Sequence, residues 1–149
     1  AERVAKSIPA NRRILLIHNV KATKEDIATI EQHFTNGVYW VLCPESNRFI
    51  SRTEPPVETL RNAGVKIAIG TDSLASARHL SMVENMRLLG DIPLDELLIW
   101  ATRNGAEALG LEASLGDIRV GTSPGIVVIE GADLQNMRVT DQTRSRRII

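Results

Sequence analysis

The stretch IAIGTDSLAS, residues 67–76, runs from an apolar segment directly into a glycine, a hydroxyl and a carboxylate, Asp72. An apolar run that stops at such a polar group is typical of a buried strand ending in a loop. A carboxylate buried without a partner is costly, so Asp72 needs a helix cap, a cation or a metal beside it. The segments around Asp72 therefore indicate both the fold and which of these partners it has.

Two apolar segments upstream repeat this pattern. Ile14–Ile17 is a continuous apolar run, of the kind found in strands covered on both faces, and Val38–Leu42 is similar. Val65–Ile69 is the third run, so the predicted strands begin at positions 14, 38 and 65 with helical patterns between them. This spacing predicts an α/β fold made of three parallel β-α units.

Helix signals fill the intervals between these strands and follow the third one. They combine cap-forming residues or prolines with an apolar stripe, and the predicted helices begin near Thr23, Pro55, Ser81 and Leu94. The last is predicted to continue unbroken to about Leu109. Glycines, a proline and the run IVVIE then favour short strands and turns. We therefore predict a β/α unit over residues 1–112 and a β segment over residues 113–149.

Composition and charge exclude several classes of function. Eighteen basic residues balance eighteen acidic ones, so no overall field attracts nucleic acid or an anionic membrane. No apolar run approaches the about 20 residues of a membrane helix, and no signal-peptide pattern opens the chain, so we expect a cytoplasmic protein. The single cysteine, Cys43, excludes an internal disulfide, and its apolar neighbours predict a buried thiol.

Polar residues collect where the three predicted strands end. The exits read HNV, CPESN and GTDSLAS, and their polar residues are His18, Ser46, Asn47, Thr71, Asp72 and Ser73. In parallel β-α folds the loops after the carboxyl ends of the strands build the active site. Taken singly, the histidine could be structural, PESN a simple turn, and Asp72 a cap. Three polar exits on one rim favour a functional site.

Four segments, LLIHNV, CPESN, GTDSLAS and the run from ATRNGAEALGL through LGDIRVGTSPGIVVI, resemble the carboxyl-terminal part of the amidohydrolase superfamily, in its deaminase and chlorohydrolase-like branch. The resemblance extends over about residues 13–129. It implies a metal-dependent hydrolase built on a TIM-like (β/α)8 barrel with a small β-sandwich. The three strands would then be the sixth, seventh and eighth of the barrel, followed by strands of the sandwich.

The resemblance also implies roles for individual residues. Asp72 matches the metal-binding aspartate after the eighth strand, and His18 matches the histidine that polarises the substrate or the attacking water. Ser46, Asn47 and Ser73 are expected to contact the substrate. The implied cofactor is a divalent metal, zinc first with iron as the alternative. The implied substrate is a small molecule, a nitrogen heterocycle that loses ammonia or chloride on hydrolysis.

Other ligands of the family are missing from the sequence. No His-x-His pair occurs in the 149 residues, and a zinc or iron site needs at least three protein ligands. The resemblance therefore implies a carboxyl-terminal fragment of a longer enzyme, inactive alone and binding metal weakly or not at all. Leu42 and Ala77 stand where relatives often carry histidine and asparagine. Exposed strand edges of a partial barrel predict self-association into a homo-oligomer, or an open sheet.

A second hypothesis remains open at this point. The chain could be a stand-alone, doubly wound α/β module that binds a small anionic ligand at the strand exits without catalysis, with Asp72 only a cap. It lacks a glycine-rich phosphate loop, which weakens this alternative.

Overall fold

The computed structural model describes all residues from 1 to 149, and a parallel three-stranded sheet forms its centre. Its strands are β1 (Ile14–Ile17), β2 (Val38–Leu42) and β3 (Ile67–Ile69). They lie side by side in the same order as in the sequence. In the register of the sheet, Trp40 lies between Leu16 and Ile67. Parallel strands joined by helices confirm the predicted α/β class.

Helices and one further small sheet complete the molecule. The helices are α1 (Glu2–Ser7), α2 (Lys24–His33), α3 (Pro44–Ile50), α4 (Val57–Asn62), α5 (Met82–Leu88), α6 (Leu94–Ala101) and α7 (Arg103–Leu109). Two antiparallel strands, β4 (Val127–Glu130) and β5 (Arg144–Arg147), pair near the end of the chain. Helix α1 was not predicted. None of these helices has the length and hydropathy that crossing a membrane requires.

The hydrophobic core lies on one face of the parallel sheet. Alternate residues of the strands, such as Trp40 and Ile67, project to this face because successive side chains of a strand point to opposite sides. They pack against buried side chains of three helices, namely Ile27 and Ile30 of α2, Leu60 of α4 and Leu97 of α6. Burial of this apolar surface is the main stabilising contribution to the fold.

The opposite face of β1 is open, which corrects the prediction that this strand is covered on both sides. Leu15 is 38% exposed and Ile17 is 53% exposed, whereas Leu16 between them packs against the core. β1 is an edge strand with only β2 beside it. A continuous apolar run does not distinguish an edge strand with one open apolar face from a strand in the middle of a covered sheet.

Two helical predictions were wrong in detail. The segment after β2, expected to be a turn, is helix α3, whose first turn contains Pro44 at a position where no backbone N–H is needed. The segment predicted as one helix to Leu109 is broken at Thr102, whose φ of −127° and ψ of −79° are not helical. The Thr102 hydroxyl donates to the Leu98 carbonyl at 2.7 Å, a local bond that competes with helix continuation.

Several predicted helix ends are confirmed. Thr23 and Asp26 form a reciprocal capping box at the start of α2. The Ser81 hydroxyl accepts a hydrogen bond from the Glu84 amide at the start of α5. Helix α7 ends at Gly110, which has a left-handed φ of 71°. These local signals succeed because each involves residues within one helical turn.

The segment after α7 is attached to the helices through specific contacts. Gly116 approaches α7 so closely that a Cβ atom there would lie 2.8 Å from the Ala106 Cβ. Beside it, the Arg103 guanidinium pairs with the Asp117 carboxylate at 3.0 Å. The glycine and aspartate of the LGDI sequence therefore have structural roles. The division at residues 112 and 113 stays a prediction.

Candidate functional site

The exit of β3 is shaped by a close approach to β2. A Cβ atom on Gly70 would lie 3.2 Å from the Cys43 Sγ and 3.3 Å from the Val41 Cγ1. The Gly70 amide also donates to the Leu42 carbonyl at 2.8 Å. Glycine therefore lets β3 stay paired with β2 up to the rim, where Asp72 follows beside the start of α3.

His18 and Asp72, at two different strand exits, both have a left-handed backbone conformation. Their φ values are 71° and 57°, in a region that few non-glycine residues occupy. Such conformations cost on the order of 1–3 kcal/mol and persist only where the surrounding structure enforces them. They are frequent at active sites, and three of the five non-glycine residues with positive φ, His18, Asn19 and Asp72, lie at this rim, while Arg52 and Met137 lie elsewhere.

The Asp72 carboxylate is held by two hydroxyl groups. Ser46 Oγ donates to Asp72 Oδ2 at 2.6 Å, and Ser76 Oγ donates to the same oxygen at 2.9 Å. His18 Nε2 lies 3.9 Å from this oxygen. The hydrogen bond from Ser46, followed by that from Ser76, holds the pKa of Asp72 below its ordinary value. Asp72 is therefore an anion at neutral pH.

The His18 ring is held from its other side by Asn47. His18 Nδ1 and Asn47 Oδ1 are 2.8 Å apart and form a hydrogen bond. Asn47 is 2% exposed and Ser46 is fully buried, so both side chains lie beneath the rim, with polar atoms directed at His18 and Asp72. The His18 and Asp72 side chains themselves stay partly open to solvent.

The first turn of α3 connects the three strand exits. Besides the contacts of its serine and asparagine, Glu45 Oε1 accepts a hydrogen bond from the Arg78 amide at 2.8 Å, which fixes the loop after Asp72. The fully buried Asn85 of α5 accepts from the Glu45 amide at 3.2 Å. Three successive residues of one helical turn therefore each hold a different part of the rim.

The structure brings together four of the residues that the sequence singled out, which are His18, Ser46, Asn47 and Asp72. The side chain of Ser73 is in none of these contacts, and Thr71 makes only a local bond to the Asp72 carbonyl at 3.4 Å. Ser76 was not among the predicted site residues. Its position four residues after Asp72 in a turn was the available signal.

Cys43 lies directly below the rim and is confirmed as a buried thiol. It is 2% exposed. Burial, with a smaller contribution from the negative charge of Asp72, raises the pKa of Cys43 to about 11. The thiol is therefore protonated at neutral pH, and this form is neither a nucleophile nor a metal ligand.

The residues present provide only part of a metal site. The structure contains no group of three or more His, Cys, Asp and Glu side chains that could hold a metal ion. His18 and Asp72 offer an imidazole and a carboxylate, both donor types that zinc accepts, whereas a catalytic zinc has three protein ligands. Both hydroxyls bond Asp72 Oδ2, so Oδ1 has no side-chain donor.

A large groove borders this cluster at Ser76. It has a volume of about 820 Å³ and is lined by α3, the loop after Asp72 and α5, with Phe49 and Leu74 on its walls. Ser76 borders it, but His18 and Asp72 do not. The groove therefore contacts the polar cluster through Ser76 and not through His18 or Asp72.

Comparison with known proteins gives a consistent result. Residues 2–149 match the model of the Amidohydrolase family. A 5-methylthioadenosine/S-adenosylhomocysteine deaminase of Moorella thermoacetica is 34% identical over 128 residues, which are 78% of this chain and 29% of that protein. The chain thus spans less than a third of the length of the curated relatives that it matches.

Solved structures that superpose on this chain are also of proteins named as deaminases. The zinc-bound adenosine deaminase of Xanthomonas campestris superposes with a TM-score of 0.71 and 30% identity, over 81% of this chain and 29% of its own. The Helicobacter pylori aminofutalosine deaminase in complex with methylthio-coformycin gives a TM-score of 0.67 and 31% identity, over 78% of this chain and 29% of its own.

Proposed function

Because this chain belongs to the amidohydrolase family, we propose that it forms the carboxyl-terminal part of the active site of a zinc-dependent deaminase. The proposed substrate is an adenine nucleoside or a derivative of one. The observation that carries the proposal is the cluster at the strand exits, where an ionised Asp72 lies 3.9 Å from the partly open His18. The substrate class is suggested by relatives that are named as deaminases of adenosine and its derivatives.

The architecture is compatible with the last three strands of a (β/α)8 barrel. The strands are parallel and adjacent in chain order, and helices pack on one face. The other face of β1 carries exposed Leu15 and Ile17, as expected for side chains that would point into a barrel interior. We propose that further strands complete this barrel. The same open apolar surface supports the prediction that the chain alone self-associates.

We propose that Asp72 provides one ligand to a divalent metal, zinc before iron. When bound, such an ion supplies a nucleophile at neutral pH by lowering the pKa of water from 15.7 to about 7. Asp72 is suited to this role because hydrogen bonds keep it ionised and Oδ1 has no side-chain donor. The remaining ligands would come from residues outside this chain, since no third donor lies near Asp72.

The other side chains of the cluster orient these two groups. Ser46 and Ser76 fix the rotation of the Asp72 carboxylate through hydrogen bonds to one oxygen. His18 Nε2 lies 3.9 Å from the same oxygen on a side chain that is 39% exposed, so it can contact the substrate or water. Substrate contacts of Ser46 and Asn47 stay predictions, and their burial favours indirect roles. Ser73 is exposed and remains available for such a contact.

The test uses the full-length gene product that contains these residues. Ammonia release from adenosine, methylthioadenosine and S-adenosylhomocysteine is measured for the wild type and for Asp72→Asn, together with the zinc content of each. We expect Asp72→Asn to lose both bound zinc and deaminase activity, because its side chain no longer carries the ligand charge.

Asp133→Asn serves as the matched control. Asp133 is also an aspartate with a lowered pKa, but its hydrogen bonds come from Asn136 and Gln135 in its own turn, away from the rim. Asp133→Asn is expected to keep activity and zinc. A wild type that contains no zinc and releases no ammonia from any of these substrates would instead favour the alternative, a small-ligand-binding module without catalysis.

A further inference from the structure

We propose that Asn47 is a positioning residue that holds the neutral His18 ring in the tautomer with its proton on Nδ1. The hydrogen bond between His18 Nδ1 and Asn47 Oδ1 carries this inference. An amide oxygen can only accept, so the proton of this bond belongs to the histidine nitrogen. In the neutral ring, Nε2, which lies 3.9 Å from Asp72 Oδ2, then has no proton and presents a lone pair on a partly exposed side chain.

Asn47 is buried, so its polar side chain has a free-energy cost that its bond to His18 must explain. The residue is 2% exposed, and its Nδ2 is buried without a hydrogen-bond partner. A buried polar group left unpaired costs about 1–3 kcal/mol and calls for an explanation. An apolar residue at this position would avoid that cost but would offer no acceptor to His18. The structure therefore assigns the function of this amide to Oδ1 and its contact with the ring.

Two geometric features keep the ring in place. Asn47 lies in the first turn of α3, a rigid element that also fixes Asp72 through Ser46 and the following loop through Glu45. His18 has a left-handed backbone, and its amide donates to the Val41 carbonyl at 3.0 Å, which anchors its Cα atom to β2. The ring therefore has a fixed backbone at one end and a fixed acceptor at Nδ1.

The tautomer has a consequence for the proposed reaction, and only this consequence rests on the proposed function. With the proton on Nδ1, Nε2 accepts a hydrogen bond from water or from an amino group of the substrate. It cannot, while the ring is neutral, donate one to an oxygen that gains negative charge. The role of His18 would then be that of a hydrogen-bond acceptor, which favours polarising the attacking water over polarising the substrate.

His33 serves as an internal reference because its ring should be the opposite tautomer. Its Nε2 lies 3.0 Å from the Ile8 carbonyl oxygen, which can only accept, so the neutral His33 ring carries its proton on Nε2. His33 belongs to α2 and its bond is independent of Asn47. The third histidine, His79, is exposed in the loop before α5. One spectrum of this chain should therefore contain two histidines with opposite tautomers.

The experiment is two-bond ¹H–¹⁵N NMR of the ¹⁵N-labelled chain, recorded in alkaline solution, where the spectrum shows the neutral form of each histidine ring. It needs neither metal nor substrate, so its failure is distinct from failure of the proposed deaminase. We expect a protonated Nδ1 in His18 and a protonated Nε2 in His33. A protonated Nε2 in wild-type His18 would overturn the proposal, since it would mean that the amide is turned over and donates to the ring.

Two variants test whether Asn47 causes the tautomer. Asn47→Asp keeps an acceptor and should keep the proton on Nδ1. Asn47→Leu removes the acceptor and should change the ratio of the two His18 tautomers by about fivefold to tenfold toward the Nε2 form, as expected for loss of one hydrogen bond. Unchanged His33 signals report an intact fold. An unchanged His18 ratio in Asn47→Leu would also overturn the proposal, and the wild-type spectrum decides the matter if the variants do not fold.

Discussion

Replacing Ser46 with alanine removes the shorter of the two hydroxyl bonds to Asp72 and should destabilise the chain in a pH-dependent way. A hydrogen bond to a charged group contributes about 1.5–3 kcal/mol. Because the Asp72 side chain is 31% exposed and Ser76 still donates to it, we expect the lower end, about 1.5 kcal/mol at pH 7. By linkage, loss of this bond should raise the folded-state pKa of Asp72 toward its ordinary value.

The sign of the pH effect follows from the lowered pKa of Asp72 in the folded state. The stabilisation is present above the ordinary carboxyl pKa of about 4 and is lost as the pH falls through the lowered value. The difference in free energy of unfolding between the wild type and Ser46→Ala should therefore shrink as the solution is acidified. Urea unfolding at several pH values measures it, and ¹³C NMR of the Asp72 carboxyl gives the pKa directly.

Ser73→Ala is the matched control for this prediction. Ser73 precedes the same turn, but its hydroxyl makes no hydrogen bond to the carboxylate, so its loss should change the free energy of unfolding by less than about 0.5 kcal/mol. Two results would refute the reasoning. One is equal destabilisation by Ser46→Ala and Ser73→Ala, and the other is an Asp72 pKa that does not rise in Ser46→Ala.

Gly70→Ala should destabilise the chain by about 1–2 kcal/mol in urea unfolding, because the new Cβ would crowd Cys43 and Val41 at 3.2 and 3.3 Å. Gly105→Ala in α7, where nothing lies within 4 Å of a new Cβ, should instead stabilise it by about 0.5–1 kcal/mol, and the same sign for both variants would contradict the packing argument. The Cys43 thiol should react with a thiol reagent at neutral pH far more slowly in the folded chain than in urea, since it is buried and its pKa is raised to about 11. Equal labelling rates in the folded chain and in urea would show that the folded structure does not protect the Cys43 thiol.

Much of the fold could be predicted from the sequence because the signals are local. The strands are short apolar runs with helices between them, and the capping pair of Thr23 and Asp26 lies within one turn. Parallel strands connected by helices must end at the same edge of a sheet. This rule alone was enough to predict that polar groups after β1, β2 and β3 would lie on one rim.

Other features depended on tertiary contacts that a sequence does not contain. Whether Leu15 and Ile17 are covered depends on which element packs against an edge strand, and an apolar run looks the same in either case. The break at Thr102 falls within a segment of strong helical periodicity, so the apolar stripe concealed it. The sequence at the start of α3 also fits a turn, because proline and asparagine are common both in turns and at helix ends.

Most residues of the candidate site could be predicted from the sequence, but the distances and hydrogen bonds between them could not. The sequence indicated His18 and Asp72, yet their separation of 3.9 Å depends on the left-handed backbone of both residues. Ser76 and Asn85 were missed, because a hydrogen-bond partner from another loop or helix is chosen by side-chain geometry and not by spacing. The contact between Asn47 and His18 joins residues 29 positions apart and became visible only in the structure.

The central claim, that Asp72 is a ligand to a metal in the assembled enzyme, has a direct test. The full-length gene product is crystallised with zinc, and anomalous diffraction data are collected at the zinc absorption edge. The account predicts an anomalous peak about 2.0–2.2 Å from an oxygen of the Asp72 carboxylate. A zinc-loaded, active enzyme in which the ion lies elsewhere, with Asp72 bonded only to Ser46 and Ser76, would contradict it.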